Sequence, residues 1–388
     1  MCTSCDDLLE VKYDIDKILS IINKKQFTQR PINVWKYIEM LPIKPKSIVS
    51  LNEGGTNLIK CNRLAENIGI NDLYIKFEGS NPTGSFKDRG MTVGISKAIE
   101  LGFKNVICAS TGNTAASLAA YSSRAGLNCY IVMAKGQIAL GKLAQSIVHG
   151  AKIIELKGKF DDAIKLVLDI SKKSDDIYLL NSINPFRLEG QKTVAFEICD
   201  QLNGISPDMV VVPVGNAGNI SAIWKGFSEY NTYDLVKGKP KMIGVQAEGA
   251  SPIIDLLNTG LSEIRPFLKP DTIASAIRIG SPRSWKKAIK SISNSNGFGT
   301  SVNDQQILKA QKDLATMEGI FTEPAGASSI AALRKLINSG KIDKGDKVVC
   351  IATAHGLKDP DIIINKNMIP YQIDANLASL QSILGDSK

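Results

Sequence analysis

Lys87 lies in a Gly/Ser/Thr-rich stretch, "NPTGSFKDRG" (81–90), directly after the apolar run 73–77. Gly79 and Gly84 are spaced as in a P-loop. However, Ser85 and Phe86 separate Gly84 from the lysine, which moves the ammonium away from the place where a β- or γ-phosphate would lie. A lysine is a nucleophile only as the free amine, and burial or a nearby cation lowers its pKa toward that form. It can then form a Schiff base with an aldehyde. The ordinary alternative is a surface lysine paired with Asp88.

Two further loops follow strand-like runs. In "ASTGNTAAS" (109–117), Ser110, Thr111, Gly112, Asn113 and Thr114 offer hydroxyls, an amide and open backbone N–H groups ahead of an alanine-rich helix. That set suits a carboxylate at a helix N-terminus, or else a plain N-cap. In "VPVGNAGNIS" (212–221), Gly215, Asn216, Ala217, Gly218 and Asn219 make a glycine-rich turn between strand and helix. Unpaired amides and the helix dipole favour phosphate there, and the glycines permit close approach. The spacing is not that of a dinucleotide fingerprint. Schiff-base lysine, phosphate cradle and carboxylate loop are together what pyridoxal 5′-phosphate requires with an amino-acid substrate.

The elements that must position these loops alternate in type. Strands are expected at 73–77, 105–109, 128–133, 152–156, 209–214, 241–246 and 347–352, with helices at 114–125, 161–173, 190–202, 219–230 and 327–339. Apolar strands alternating with helices predict an α/β fold with parallel sheets. Units grouped around 90–190 and 205–360 suggest two lobes, and ligands of such folds sit in a crevice outside the carboxyl ends of strands.

Composition narrows the function classes. The 388 residues are 44% hydrophobic and 22% charged, an ordinary globular balance with room for one large or two domains. Net charge is +9, but the basic residues are scattered, which argues for a solvated surface and against nucleic-acid binding. Seven cysteines, an odd number spread widely, point to a reducing compartment. With no signal-peptide pattern and no membrane-length apolar run, a cytoplasmic protein without a membrane partner is expected. Two histidines, His149 and His355, leave little for a histidine metal cluster. Cys2 and Cys5 make half of a zinc ribbon whose other half is missing, so no metal is expected.

The motifs "NPTGSFKDRGM", "STGNTAAS", "NSINPFRLEGQKT", "VPVGNAGN" and "EPAGAS" together resemble the threonine synthases, members of the fold-type II pyridoxal-phosphate enzymes, over roughly residues 51–356. The resemblance implies a two-lobed fold of the tryptophan synthase β type, with parallel sheets flanked by helices. It implies an N-terminal extension (1–30), a large cofactor-binding domain (31–90 plus 191–388) and a small substrate-side domain (91–190). Lys87 matches the Schiff-base lysine and proton shuttle, Asn113 the partner of the cofactor's phenolic oxygen, and residues 215–219 its phosphate loop. Thr353 matches the hydroxyl at the pyridine nitrogen, and Ser110, Thr111 and Thr114 the substrate-carboxylate loop. Asn181, Ser182 and Arg187 match the site for the phosphate of O-phospho-L-homoserine, where an arginine grips bidentately. A structural ion pair with Glu189 or Glu197 is the ordinary role for that arginine. Glu323 reads as a helix cap or a pocket residue. The implied reaction turns O-phospho-L-homoserine and water into L-threonine and phosphate, in a homodimer. Threonine dehydratase, a cysteate synthase using O-phosphoserine, and a non-catalytic binding protein are the alternatives.

Overall fold

The apolar runs assemble into two sheets. The strands are β1 (Leu58–Lys60), β2 (Asp72–Phe77), β3 (Asn105–Ala109), β4 (Asn128–Ala134), β5 (Lys152–Leu156), β6 (Ile177–Leu179), β7 (Met209–Pro213), β8 (Lys241–Ala247), β9 (Phe298–Val302) and β10 (Lys347–Ala352). One sheet runs β1-β2-β10-β7-β8-β9 and the other β5-β4-β3-β6. Every pairing is parallel except β1 with β2. The computed structural model describes residues 2, 4–5, 7–22, 24–135, 140–364 and 372–385. Met1–Lys358 form one compact unit and Asp359–Lys388 a second.

The central strands are apolar on both faces because helices cover both. Along β10, Val348 and Cys350 point to one face, with Leu64, Leu314 and Ile330 of helices Asn62–Ile68, Asp304–Glu318 and Pro324–Asn338. Val349 and Ile351 point to the other, with Phe196, Ile220 and Phe227 of helices Thr193–Gln201 and Gly218–Thr232. In the smaller sheet, Val106, Cys108 and Ile131 pack on Met91 and Ile95 of helix Lys87–Glu100 and on Leu118 of helix Asn113–Ala125. Among the described residues no helix is long and apolar enough to cross a membrane.

Several elements differ from expectation. The helix expected at 190–202 begins earlier and is divided into Pro185–Gln191 and Thr193–Gln201. Lys87–Glu100 is a helix that the sequence pattern did not announce. β1, β6 and β9 extend the sheets at their edges. The second unit holds helices Asp361–Ile364 and Leu377–Gly385. Residues 365–371 and 386–388 lie outside the described residues.

Candidate active site

Lys87 is the first residue of its helix and is half-buried, with Nζ 4.0 Å from the centroid of the Phe86 ring. Burial, reinforced by the Arg187 guanidinium, pushes its pKa down to about 7, while Glu323 acts in the opposite direction. The loop leading into it is clipped to the chain leaving β10. Phe86 N donates to Thr353 O (3.1 Å) and His355 N to Gly84 O (2.9 Å). The lysine therefore stands at the carboxyl ends of the neighbouring strands β2 and β10, where parallel sheets place ligands.

Asp88 is not the partner of Lys87. It accepts from Thr83 N (2.7 Å), Thr83 Oγ1 (2.6 Å) and Ser117 Oγ (2.5 Å), and burial raises its pKa to about 6. Arg89, fully buried, forks onto Glu78 (2.6 and 2.8 Å) and onto Glu197 (2.6 and 2.7 Å), and Glu197 also takes Lys76 at 2.8 Å. Asp88 thus fastens the lysine turn to helix Asn113–Ala125, and Arg89 fastens it to helix Thr193–Gln201.

Ser110, Thr111 and Thr114 are half-buried around the start of helix Asn113–Ala125. Asn113 donates through Nδ2 to Glu323 Oε2 (3.1 Å), and Thr353 donates through Oγ1 to Glu323 Oε1 (3.1 Å). Glu323, nearly sealed from solvent, joins the first residue of one helix to the end of β10. Its side chain makes no cap hydrogen bond and serves instead to join Asn113 and Thr353. His355 lies against the Phe77 and Phe321 rings (5.9 and 5.8 Å) and accepts from Leu357 N, a loop-shaping arrangement.

After β7 the chain turns at Ala217, which adopts a left-handed conformation (φ 67°, ψ 2°), and enters helix Gly218–Thr232. A Cβ on Gly215 would stand 2.9 Å from Ala276 O, so the turn accepts only glycine there. Asn219 is buried with neither amide atom partnered. The first-turn amides of the helix have no carbonyl ahead of them to bond.

Arg187 rides on helix Pro185–Gln191, capped by the Asn184 side chain with proline at the first position. It is buried, donates Nη1 to Leu180 O (3.0 Å) and keeps Nε without a partner. Burial lowers its pKa to about 10. The ion pairs considered for it do not form. Glu189 receives Lys192 (2.6 Å), Lys225 (2.7 Å) and the Tyr13 hydroxyl (2.7 Å), and Glu197 belongs to Arg89 and Lys76. No carboxylate pairs with Arg187 among the described residues. A buried cation without a counter-charge is costly unless an anion completes it. Asn181 is engaged at both amide ends, with Ala109 N and O (3.0 Å each), splicing the next turn onto β3. Ser182 is half-buried in that turn.

The residues present fit pyridoxal phosphate. An amine of lowered pKa, an orphaned amide beside a glycine turn, and an unpaired guanidinium are what an aldehyde and two phosphates would complete. Glu323 is the site member that its residue type alone left undecided, since its role depends on two partners distant in sequence. Cys2 and Cys5 are free thiols, and no group of three metal-ligating side chains occurs among the described residues.

The family model described as "Pyridoxal-phosphate dependent enzyme" matches residues 49–354. The threonine synthase of Methanocaldococcus jannaschii is 55% identical over 381 residues, 98% of this chain and 94% of that one. That of Methanosarcina acetivorans is 52% identical over 388 residues, 100% and 95% of the two chains. That of Halalkalibacterium halodurans is 50% identical, covering 88% and 95%. Among solved structures, maize serine racemase superposes with a TM-score of 0.66 at 21% identity, covering 85% of this chain and 92% of that one. Processed threonine deaminase isoform 2 of Solanum lycopersicum gives 0.66 at 22%, covering 98% and 96%. Those two likenesses establish the fold.

Proposed function

The chain belongs to the pyridoxal-phosphate dependent enzymes and, within them, to the threonine synthases; from that premise we propose that it converts O-phospho-L-homoserine and water to L-threonine and phosphate. The observation that supports a phosphorylated substrate is Arg187, a buried guanidinium with a free Nε, no carboxylate partner among the described residues, and a place close enough to Lys87 to depress its pKa. A pocket built this way leaves a cation unpaired with any substrate that lacks the phosphate, and so rejects it.

Lys87 would hold the cofactor's aldehyde carbon. Gly215, Asn216, Ala217, Gly218 and Asn219 would hold its phosphate, Asn113 its phenolic oxygen and Thr353 its ring nitrogen. Bound, the cofactor supplies an electron sink for charge left at Cα. With a pKa of about 7, Lys87 is poised to take a proton near neutrality and give it back. It removes the Cα proton and then a Cβ proton of the substrate. Arg187, aided by Ser182, grips the phosphate that leaves Cγ. Ser110, Thr111 and Thr114 hold the substrate carboxylate. Water adds at Cβ, and protonation at Cγ and Cα completes threonine. Two lobes, 31–90 with 191–388 and 91–190, a homodimer and a cytoplasmic site of action complete the reading. The separate strand sources of the two sheets support the lobes.

The test mixes cofactor-loaded protein with O-phospho-L-homoserine and measures phosphate and threonine, with Lys87→Ala alongside. Equal release of both, lost in the variant, is expected. Phosphate with 2-oxobutyrate would mean that the reaction stops at elimination. Turnover of O-phosphoserine with sulfite, and none of O-phospho-L-homoserine, would overturn the substrate.

A further inference from the structure

Ser284 stands at the N-cap position of helix Trp285–Asn294, yet its hydroxyl caps nothing. A serine there ordinarily accepts a first-turn amide. This one is 1% exposed and its Oγ has no hydrogen-bond partner. The hydroxyl faces the glycine turn after β7, and an ideal Cβ on Gly218 would lie 3.9 Å from it. The backbone holds it there, since Ser284 N donates to Asn216 O at 3.1 Å. Asn219, the second residue of helix Gly218–Thr232, is 8% exposed with both amide atoms unpartnered. Two buried, unsatisfied polar side chains from separate segments thus converge on one helix N-terminus. Orphaned buried groups of this kind call for a partner, and a helix N-terminus favours an anion as that partner.

We propose that Ser284 donates its hydroxyl to the cofactor phosphate and closes the cradle formed by residues 215–219. This rests on the reading of that turn as the phosphate loop. It adds a ligand from a distant segment, "SPRSW" (281–285), which carries no phosphate-loop signature of its own. The hydroxyl supplies a charge-assisted donor, and Asn219 turns its own amide N–H toward the same group.

The experiment titrates cofactor-free protein with pyridoxal 5′-phosphate and, separately, with pyridoxal, and compares the two affinities. Ser284→Ala should weaken the phosphorylated ligand by about tenfold, the loss expected for one hydrogen bond to a charged group, while leaving pyridoxal unchanged. Ser284→Thr should restore the gain, and Ser284→Asp should abolish it by charge repulsion. The ratio of the two affinities is internal to each preparation, so partial misfolding does not mimic the result. An unchanged ratio in Ser284→Ala would overturn the role of Ser284 alone. A wild-type protein that binds both ligands equally would overturn the cradle itself.

Discussion

Arg187 is anchored to the carbonyl of Leu180 at 3.0 Å through Nη1, and its equally buried Nε meets nothing. A guanidinium so fixed is preorganised for an anion. Arg187→Met should lower kcat/KM for O-phospho-L-homoserine by about 100-fold, the loss of two charge-assisted hydrogen bonds. Arg187→Lys should recover only part, since it restores the charge without the fork. Thermal stability should hold or rise, because an unpaired buried cation is removed. A large fall in stability with turnover intact would assign Arg187 to the scaffold.

The same arginine should appear in the pH dependence of Lys87. Burial first, and then Arg187, bring the lysine to about 7. Below that pH the amine is protonated and unreactive; above it the amine is free. The rate at which cofactor-free protein captures pyridoxal phosphate should therefore rise through about pH 7 and level off. In Arg187→Met the repulsion is gone and the midpoint should move upward. A midpoint that stays in place would mean burial alone sets it.

How much of this was legible in the sequence follows from the range of each interaction. Strands such as 347–352 and 105–109 were read to the residue, because continuous apolar runs between turn residues are local signals. Helix Lys87–Glu100 was not, because it is buried nearly all round and carries Asp88, Arg89, Gly90 and Gly94 on faces that periodicity reserves for apolar side chains. β1 and β6, three residues each, are too short to show a period. The candidate loops stand out in the sequence because glycine turns and clustered hydroxyls at helix starts are local signals. Their charge partners do not. The sequence offers Glu197 as a mate for Arg187, but the fold gives it to Arg89, 108 residues away.

That pairing has its own consequence for stability. Burial raises the Glu197 pKa, but Arg89 and Lys76 outweigh it and hold the carboxyl at about 2. A depressed carboxylate stabilises the fold above its unfolded pKa of about 4.3, and the contribution is lost as pH falls toward 2. Glu197→Gln leaves two buried cations short of charge and should destabilise the protein by about 3–5 kcal/mol in urea unfolding at neutral pH. The variant should also show a flatter acid limb than the wild type between about pH 5 and 2. A change under about 1 kcal/mol would mean that Glu78 alone suffices to hold the two cations.

Lys87 and Arg187 sit on two helices that touch through Gly190. A Cβ there would lie 1.7 Å from the carbonyl oxygen of Arg89 and 3.0 Å from Val93 Cγ2. The nearer obstacle is backbone, which no rotamer change can remove. Gly190→Ala must separate helix Pro185–Gln191 from helix Lys87–Glu100, moving both cations and straining the Arg89 cluster. The expected result is a loss of about 3 kcal/mol or more, together with weaker cofactor retention, because the lysine turn and the arginine no longer share one frame. Gly345→Ala is the control, since a Cβ there meets nothing within 4 Å. If Gly190→Ala kept wild-type stability, the helices could part freely, and the close packing would not be what sets the spacing of the two cations.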